Sequence, residues 1–90
     1  MAALFHLDIL TPYRTVFAGD VDYVQVPGTA GYLGVLAHHA ALVTGMAEGT
    51  LTVRGPGGTT TYPVSGGFFE VSHNQATVLA DHVGVEEAKR

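Results

Sequence analysis

Thr50–Val64 reads TLTVRGPGGTTTYPV. In an extended chain Leu51 and Val53 fall on one side, and Thr50, Thr52 and Arg54 on the other. Gly55-Pro56-Gly57-Gly58 supplies the turn, and Thr59–Val64 resumes with Tyr62 and Val64 on a shared face. This predicts two half-buried strands joined by a hairpin. The same period of two opens the chain, where Phe5, Leu7 and Ile9 alternate with His6 and Asp8 before Thr11-Pro12 ends the run. Arg14–Phe17 is a short extended segment closed by Ala18-Gly19-Asp20. Val21–Val26 reads as a further strand whose alternation slips between Tyr23 and Val24, which predicts a bulge. Phe68–Ser72 and Ala76–Ala80 flank a turn at His73-Asn74-Gln75. The 12 valines and 10 threonines are β-branched and strand-prone. Strands recurring every ~8–12 residues with turns between them predict an all-β sandwich or barrel. Only Asp81–Arg90 has helical composition, and Gly84 interrupts it. So short a helix is marginal in water without a packing partner, so the segment reads as a tail.

Ninety residues make one small domain. No cysteine is present, which leaves neither disulfide nor thiolate metal ligand. The apolar runs fall short of the ~20 residues of a spanning helix, and MAALFHLDIL lacks the basic region of a signal peptide. Four Lys or Arg stand against eight Asp or Glu, so there is no basic cluster to displace counterions from nucleic acid or to hold an anionic membrane. Charged residues are 13% of the chain, against about 25% in ordinary soluble domains, while 47% is hydrophobic. Two readings stand. Part of the surface is covered by a partner, since monomers rarely leave large apolar patches bare, or the surface is rich in Thr and Gly and simply neutral.

The stretch Val26–Leu42, VPGTAGYLGVLAHHAAL, invites a chemical reading. A phosphate cradle needs a glycine turn opening a helix. Here Gly28, Gly31 and Gly34 follow neither the dinucleotide nor the P-loop pattern, no Lys follows them, and at most a turn or two of helix fits before Leu42. The alternative is tight turns and close backbone approach. Ser65-Gly66-Gly67 leads into an apparent strand and fails as a cradle for the same reason. His38 and His39 are adjacent and diverge on either a strand or a helix, which does not chelate one ion, and no H-x₃-H spacing supports a metal. Polar histidines at a loop or interface are the other reading. The serines, Ser65 and Ser72, sit in no nucleophile elbow. Asp20 and Asp22 lie on one strand face beside Gly19, as a solvated edge would. No catalytic residue, cofactor site or metal site is predicted.

The pieces match a family as an ordered set. HLDILTPYRTVFAGDVDYVQVPGTAGYLGVL, HHAALVTGM, VSGGFFEV and ATVLAD resemble the N-terminal domain of the epsilon subunit of F-type ATP synthases, across residues 4–82. The resemblance implies a β-sandwich of about ten short strands over 1–82 and a C-terminal tail over 83–90, where a helical hairpin begins in relatives. It also implies a non-catalytic rotor subunit that packs on the foot of the gamma subunit and sits on the ring of c subunits. In that role it couples proton flow to ATP synthesis at the cytoplasmic face of the bacterial inner membrane, which it reaches only through the complex. Carried over by position, the gamma-facing side includes Thr11, His39, Thr44 and Ser65, and the ring-facing loop is Thr29, Ala30, Gly31 and Tyr32.

The sequence departs from the family pattern in two places. Relatives often carry an acidic residue where Tyr32 stands, and PGHAPL where this chain has Ala37-His38-His39-Ala40-Ala41-Leu42. Many relatives also continue into a two-helix hairpin that brakes hydrolysis and in some binds ATP. These ninety residues are expected not to brake in that way, and to be monomeric when isolated. A rival expectation is a carbohydrate- or peptide-binding module, with Tyr13, Tyr23, Tyr32 and Tyr62 as its aromatic contacts.

Overall fold

The computed structural model describes residues 3–89. The domain limits at residues 1 and 90 therefore lie outside the described residues. Nine strands form: β1 (Phe5–Leu10), β2 (Thr15–Val21), β3 (Tyr23–Gly28), β4 (Gly31–Val35), β5 (Leu42–Gly45), β6 (Gly49–Gly55), β7 (Gly58–Ser72), β8 (Gln75–Val83) and β9 (Glu87–Lys89). There is no helix among the described residues.

One long strand organises the rest. The sequence predicts two strands, Thr59–Val64 and Phe68–Ser72, but β7 runs unbroken through both. Gly66 and Gly67 adopt φ of 70° and 102°, and the chain turns a corner there while keeping its pairing. Its first half pairs with β6 and β9, and its second half with β8 and β5. The ladders then sort into two layers. Sheet I has the order β2-β1-β8-β7-β5, and sheet II the order β4-β3-β6-β7-β9. With β7 serving both, the nine strands fill ten positions, as the sandwich expectation requires.

The inward face of each strand is the apolar half of its alternation. Phe5, Leu7, Ile9, Phe69, Val71, Val78 and Ala80 of sheet I meet Val24, Val26, Val35, Leu51, Val53, Tyr62 and Val64 of sheet II in one buried cluster. Each buried Val, Leu, Ile or Phe among them contributes roughly 1.5–3 kcal/mol, which is what holds a domain this small.

Three local predictions change. The slip at Tyr23 is not a bulge within one strand. Val21 ends β2 in sheet I and Tyr23 begins β3 in sheet II, and the Asp22 amide donates to the Arg54 carbonyl at 2.9 Å as the chain crosses. Ala18-Gly19-Asp20 does not close β2 but continues it, pairing Asp8 with Ala18 and His6 with Asp20. Part of the expected tail joins the sheet, since Glu87, Ala88 and Lys89 pair with Thr61, Thr60 and Thr59.

The β7–β8 turn is tied to two other parts of the chain. His73 and Asn74 both have positive φ, as a type I′ hairpin requires. The Asn74 Oδ1 accepts from the His38 amide at 2.8 Å, and its Nδ2 donates to the Leu4 carbonyl at 2.9 Å. One side chain thus fixes the loop after β4 and the lead into β1.

Candidate docking surface

The chemistry-bearing residues do not converge. Among the described residues no three His, Asp or Glu side chains are grouped as metal ligands. His38 lies in a turn with φ of 64°, and the His39 ring nitrogen Nδ1 is 2.7 Å from the Ala40 carbonyl oxygen. The four tyrosines form no common platform. Tyr62 is buried, Tyr23 lies under the Arg54 guanidinium at 5.1 Å, and the Tyr32 hydroxyl is tied back to β6.

What the fold does assemble is an apolar face. The outward residues of sheet I follow from its register. Phe68 lies beside Leu79, and Leu79 beside Leu10, in one row across β7, β8 and β1. Val43 on β5 stands in the next row, beside Glu70. Val43 is 67% exposed, Phe68 61% and Leu79 46%. Their chain neighbours Phe69, Val78 and Ala80 are fully buried on the other side of the same sheet. This face holds part of the hydrophobic excess noted in the composition, with Leu4, Tyr13, Tyr32, Leu36 and Val85 exposed elsewhere. A sequence signal for it existed. Two adjacent phenylalanines in a strand cannot both face the core, so one of Phe68 and Phe69 must point outward.

The rest of that face is acidic. Asp8, Asp20, Glu70 and Asp81 lie on its outward side or rim. At one border His6 stands between two carboxylates, with Nε2 3.0 Å from Asp8 Oδ1 and Nδ1 3.4 Å from Asp20 Oδ1. Carboxylate oxygens only accept, so both contacts are hydrogen bonds only when the ring carries two protons. The hydrogen bond to Asp8 accordingly raises the His6 pKa above its ordinary 6.5, with desolvation opposing it and Asp20 adding to it. A raised value in the folded state means stability that is fully present below pH 6.5 and lost as pH rises through the folded pKa. The thermal midpoint of a His6→Gln variant is therefore expected to lag the parent at pH 5 and to converge with it by pH 8. A gap that does not narrow with pH would contradict this.

The loop Thr29–Tyr32 is the tip of the β3–β4 hairpin, closed by the pair Gly28–Gly31, and all four of its residues are exposed. Its base is fixed. The Thr29 amide donates to the Gly45 carbonyl at 3.1 Å, and the Ala47 amide to the Pro27 carbonyl at 2.8 Å. Tyr32 is half-held, since its hydroxyl accepts from the Thr50 amide at 2.9 Å. A side chain at Gly49 would collide with that hydroxyl, so the glycine leaves it room. The other four candidates are spread out. Thr11 caps its own turn, its Oγ1 accepting from the amides of Tyr13 and Arg14. Ser65 lies at the β7 corner paired with His82, and Thr11 and His82 line one shallow groove. Thr44 lies on β5 next to Val43, with its hydroxyl donating to the Gly45 carbonyl at 3.0 Å. His39 precedes that strand. Thr11 and Ser65 thus lie outside the apolar patch, Thr44 points to the inner side of the sheet opposite Val43, and the patch itself, Val43, Phe68 and Leu79, was missed.

Residues 4–85 match the family model described as the ATP synthase, Delta/Epsilon chain, beta-sandwich domain. The chain is 44% identical to the ATP synthase epsilon chain of Desulforamulus reducens, with 99% of this chain aligned to 72% of that protein. It is 41% identical to the ATP synthase epsilon chain of Caulobacter vibrioides, with 89% of this chain aligned to 93% of that one. Among solved structures, a chain of the Euglena gracilis mitochondrial ATP synthase (OSCP, F1 and c-ring) superposes with a TM-score of 0.86 at 24% identity, covering 93% of this chain and 54% of that chain. A chain of the Tetrahymena thermophila mitochondrial ATP synthase central stalk and c-ring gives 0.77 at 13% identity, covering 92% and 67%. At these identities the structural likeness is one of fold.

Proposed function

This chain belongs to the ATP synthase delta/epsilon chain family, and from that premise we propose that it is a non-catalytic rotor subunit of the central stalk. It docks on the gamma subunit through the outer face of sheet I and meets the c-ring through the Thr29–Tyr32 hairpin. Rotation of the ring, driven by proton flow, then passes to the shaft that drives ATP synthesis. The chain is peripheral to the membrane in this reading, and no helix among the described residues is long and apolar enough to cross one.

The observation that carries the reading is the outer face of sheet I. A sandwich needs only one apolar face per sheet, and the outer face of this sheet carries an apolar patch as well, Val43, Phe68 and Leu79. An exposed apolar row on a sheet whose core side is already complete is the mark of a second, intermolecular burial. The hairpin fits the ring contact because its base is held by backbone hydrogen bonds while its tip is bare. Tyr32 supplies an aromatic anchor there in place of an acid, held by the Thr50 amide.

Calorimetric titration of the purified chain into gamma from the same complex tests the proposal. A saturable complex with a negative heat-capacity change is expected, as apolar burial requires. No heat and no co-elution at micromolar concentrations would refute it.

A further inference from the structure

We propose that the docking face contains a socket for one basic side chain of the gamma subunit, a lysine or arginine whose stem lies on Phe68, Leu79 and Val43 and whose cationic head meets Glu70. The proposal rests on the docking reading above and specifies the partner's chemistry at its centre.

Register and side-chain size make the socket. Val43, Glu70 and Thr77 lie side by side across β5, β7 and β8, and Phe68 and Leu79 form the next row. Strands are about 4.8 Å apart and same-face residues about 6.8 Å apart along a strand, so these five side chains ring a single small area. Val43 and Thr77 are the short side chains of the five, and Thr77 is half-buried, so the surface lies low on the β8 side of Glu70. The resulting groove is lined by these five residues alone and has a volume of about 260 Å³. That is below the roughly 300–1,000 Å³ of small-molecule pockets, which suits one inserted side chain better than a free ligand.

Three walls of the groove are apolar and one is a carboxylate. A purely apolar side chain seated there would strip water from Glu70 and leave the charge unpaired, at a cost of several kcal/mol. A small polar one would leave Phe68 and Leu79 poorly packed. Lysine and arginine satisfy both demands, with an aliphatic stem and a charged end. An arginine would also gain a cation–π contact with the Phe68 ring.

Among the described residues no basic side chain is paired with Glu70. The chain's four basic residues are Arg14, Arg54, Lys89 and Arg90. Arg14 lies in the β1–β2 turn, Arg54 is paired with Asp22 at 2.8 Å on sheet II, and Lys89 lies on β9 of that same sheet. The acidic line continues through Asp8, beside Thr77 on β1. The partner surface that fits is therefore an apolar ridge with basic side chains on this flank.

The test is titration of gamma with the parent chain, Glu70→Gln and Glu70→Lys, at two salt concentrations, with Glu48→Gln as an exposed acid away from the face. Thermal melts check that each variant folds, which is expected because Glu70 is exposed. Losing a charge-assisted contact predicts roughly tenfold weaker binding for Glu70→Gln and a larger loss for Glu70→Lys. Glu48→Gln is expected to bind as the parent does. The parent's affinity is expected to fall more steeply with salt than that of Glu70→Gln. If the parent binds and both Glu70 variants bind within about twofold of it, the socket is refuted and the docking reading stands. If the parent does not bind, both fall.

Discussion

Gly67→Ala is expected to be the most destabilising conservative change in the domain. Gly67 has φ of 102°, where an L side chain is strained wherever it points. A Cβ there would also overlap the Leu79 carbonyl oxygen and lie 2.9 Å from the Ala80 Cα. Both are backbone atoms of the paired strand β8, so neither swings aside. The Gly67 carbonyl also accepts from the Met46 amide at 2.9 Å, which ties the end of β5 to the corner. The substitution must therefore break the bend that lets β7 serve both sheets. Backbone strain alone costs ~1–3 kcal/mol, and broken pairing adds to it. At ~0.05–0.15 kcal/mol per residue, the whole domain has only about 4–14 kcal/mol to lose. A thermal midpoint lower by more than ~12 °C, or no cooperative transition, is expected by circular dichroism. Gly66→Ala is the control. Its Cβ would meet the Asp81 carboxylate, the far end of a movable side chain, so a smaller loss is expected. Equal, small shifts for both would contradict the corner account.

Phe68→Asp is expected to abolish gamma binding while leaving the fold intact. The residue is 61% exposed, so its replacement removes little core packing. In the docked state it would be an aromatic anchor, and such residues cost 2 kcal/mol or more when truncated, roughly thirtyfold in affinity. Aspartate adds a buried charge beside Glu70 and makes the loss larger. The neighbour supplies the contrast. Phe69 is fully buried, and Phe69→Ala is expected to cost ~3–5 kcal/mol of stability. Calorimetry with gamma and thermal melts on both variants separate the roles. A Phe68→Asp chain that still binds gamma with parental affinity would remove the face from the interface.

Local alternation was enough to place most of the fold. The Phe5–Leu10 strand, the hairpin at Gly55–Gly58 and the turn at His73-Asn74 were legible because period-two patterning and turn residues act over a few positions. The layer change at Asp22 was not. A bulge and a switch of sheet leave the same slip in the pattern, and only long-range pairing tells them apart. The corner at Gly66-Gly67 read as a gap between strands for the same reason, since positive-φ glycines serve loops and bends alike. Glu87–Lys89 carries helix-forming residues and becomes a strand because an edge of β7 is open beside it. In the sequence the apolar face showed as a surplus in the composition and as the adjacent pair Phe68 and Phe69. Its address needed the register that sets Phe68 beside Leu79 and Leu79 beside Leu10.

Hydroxyl-radical footprinting of side chains, with and without gamma, tests the central claim most directly. The account predicts that Phe68, Leu79 and Val43 lose their labelling in the complex, while Tyr23 on the outer face of sheet II keeps its own. Unchanged oxidation at Phe68 and Leu79 in a verified complex would contradict it.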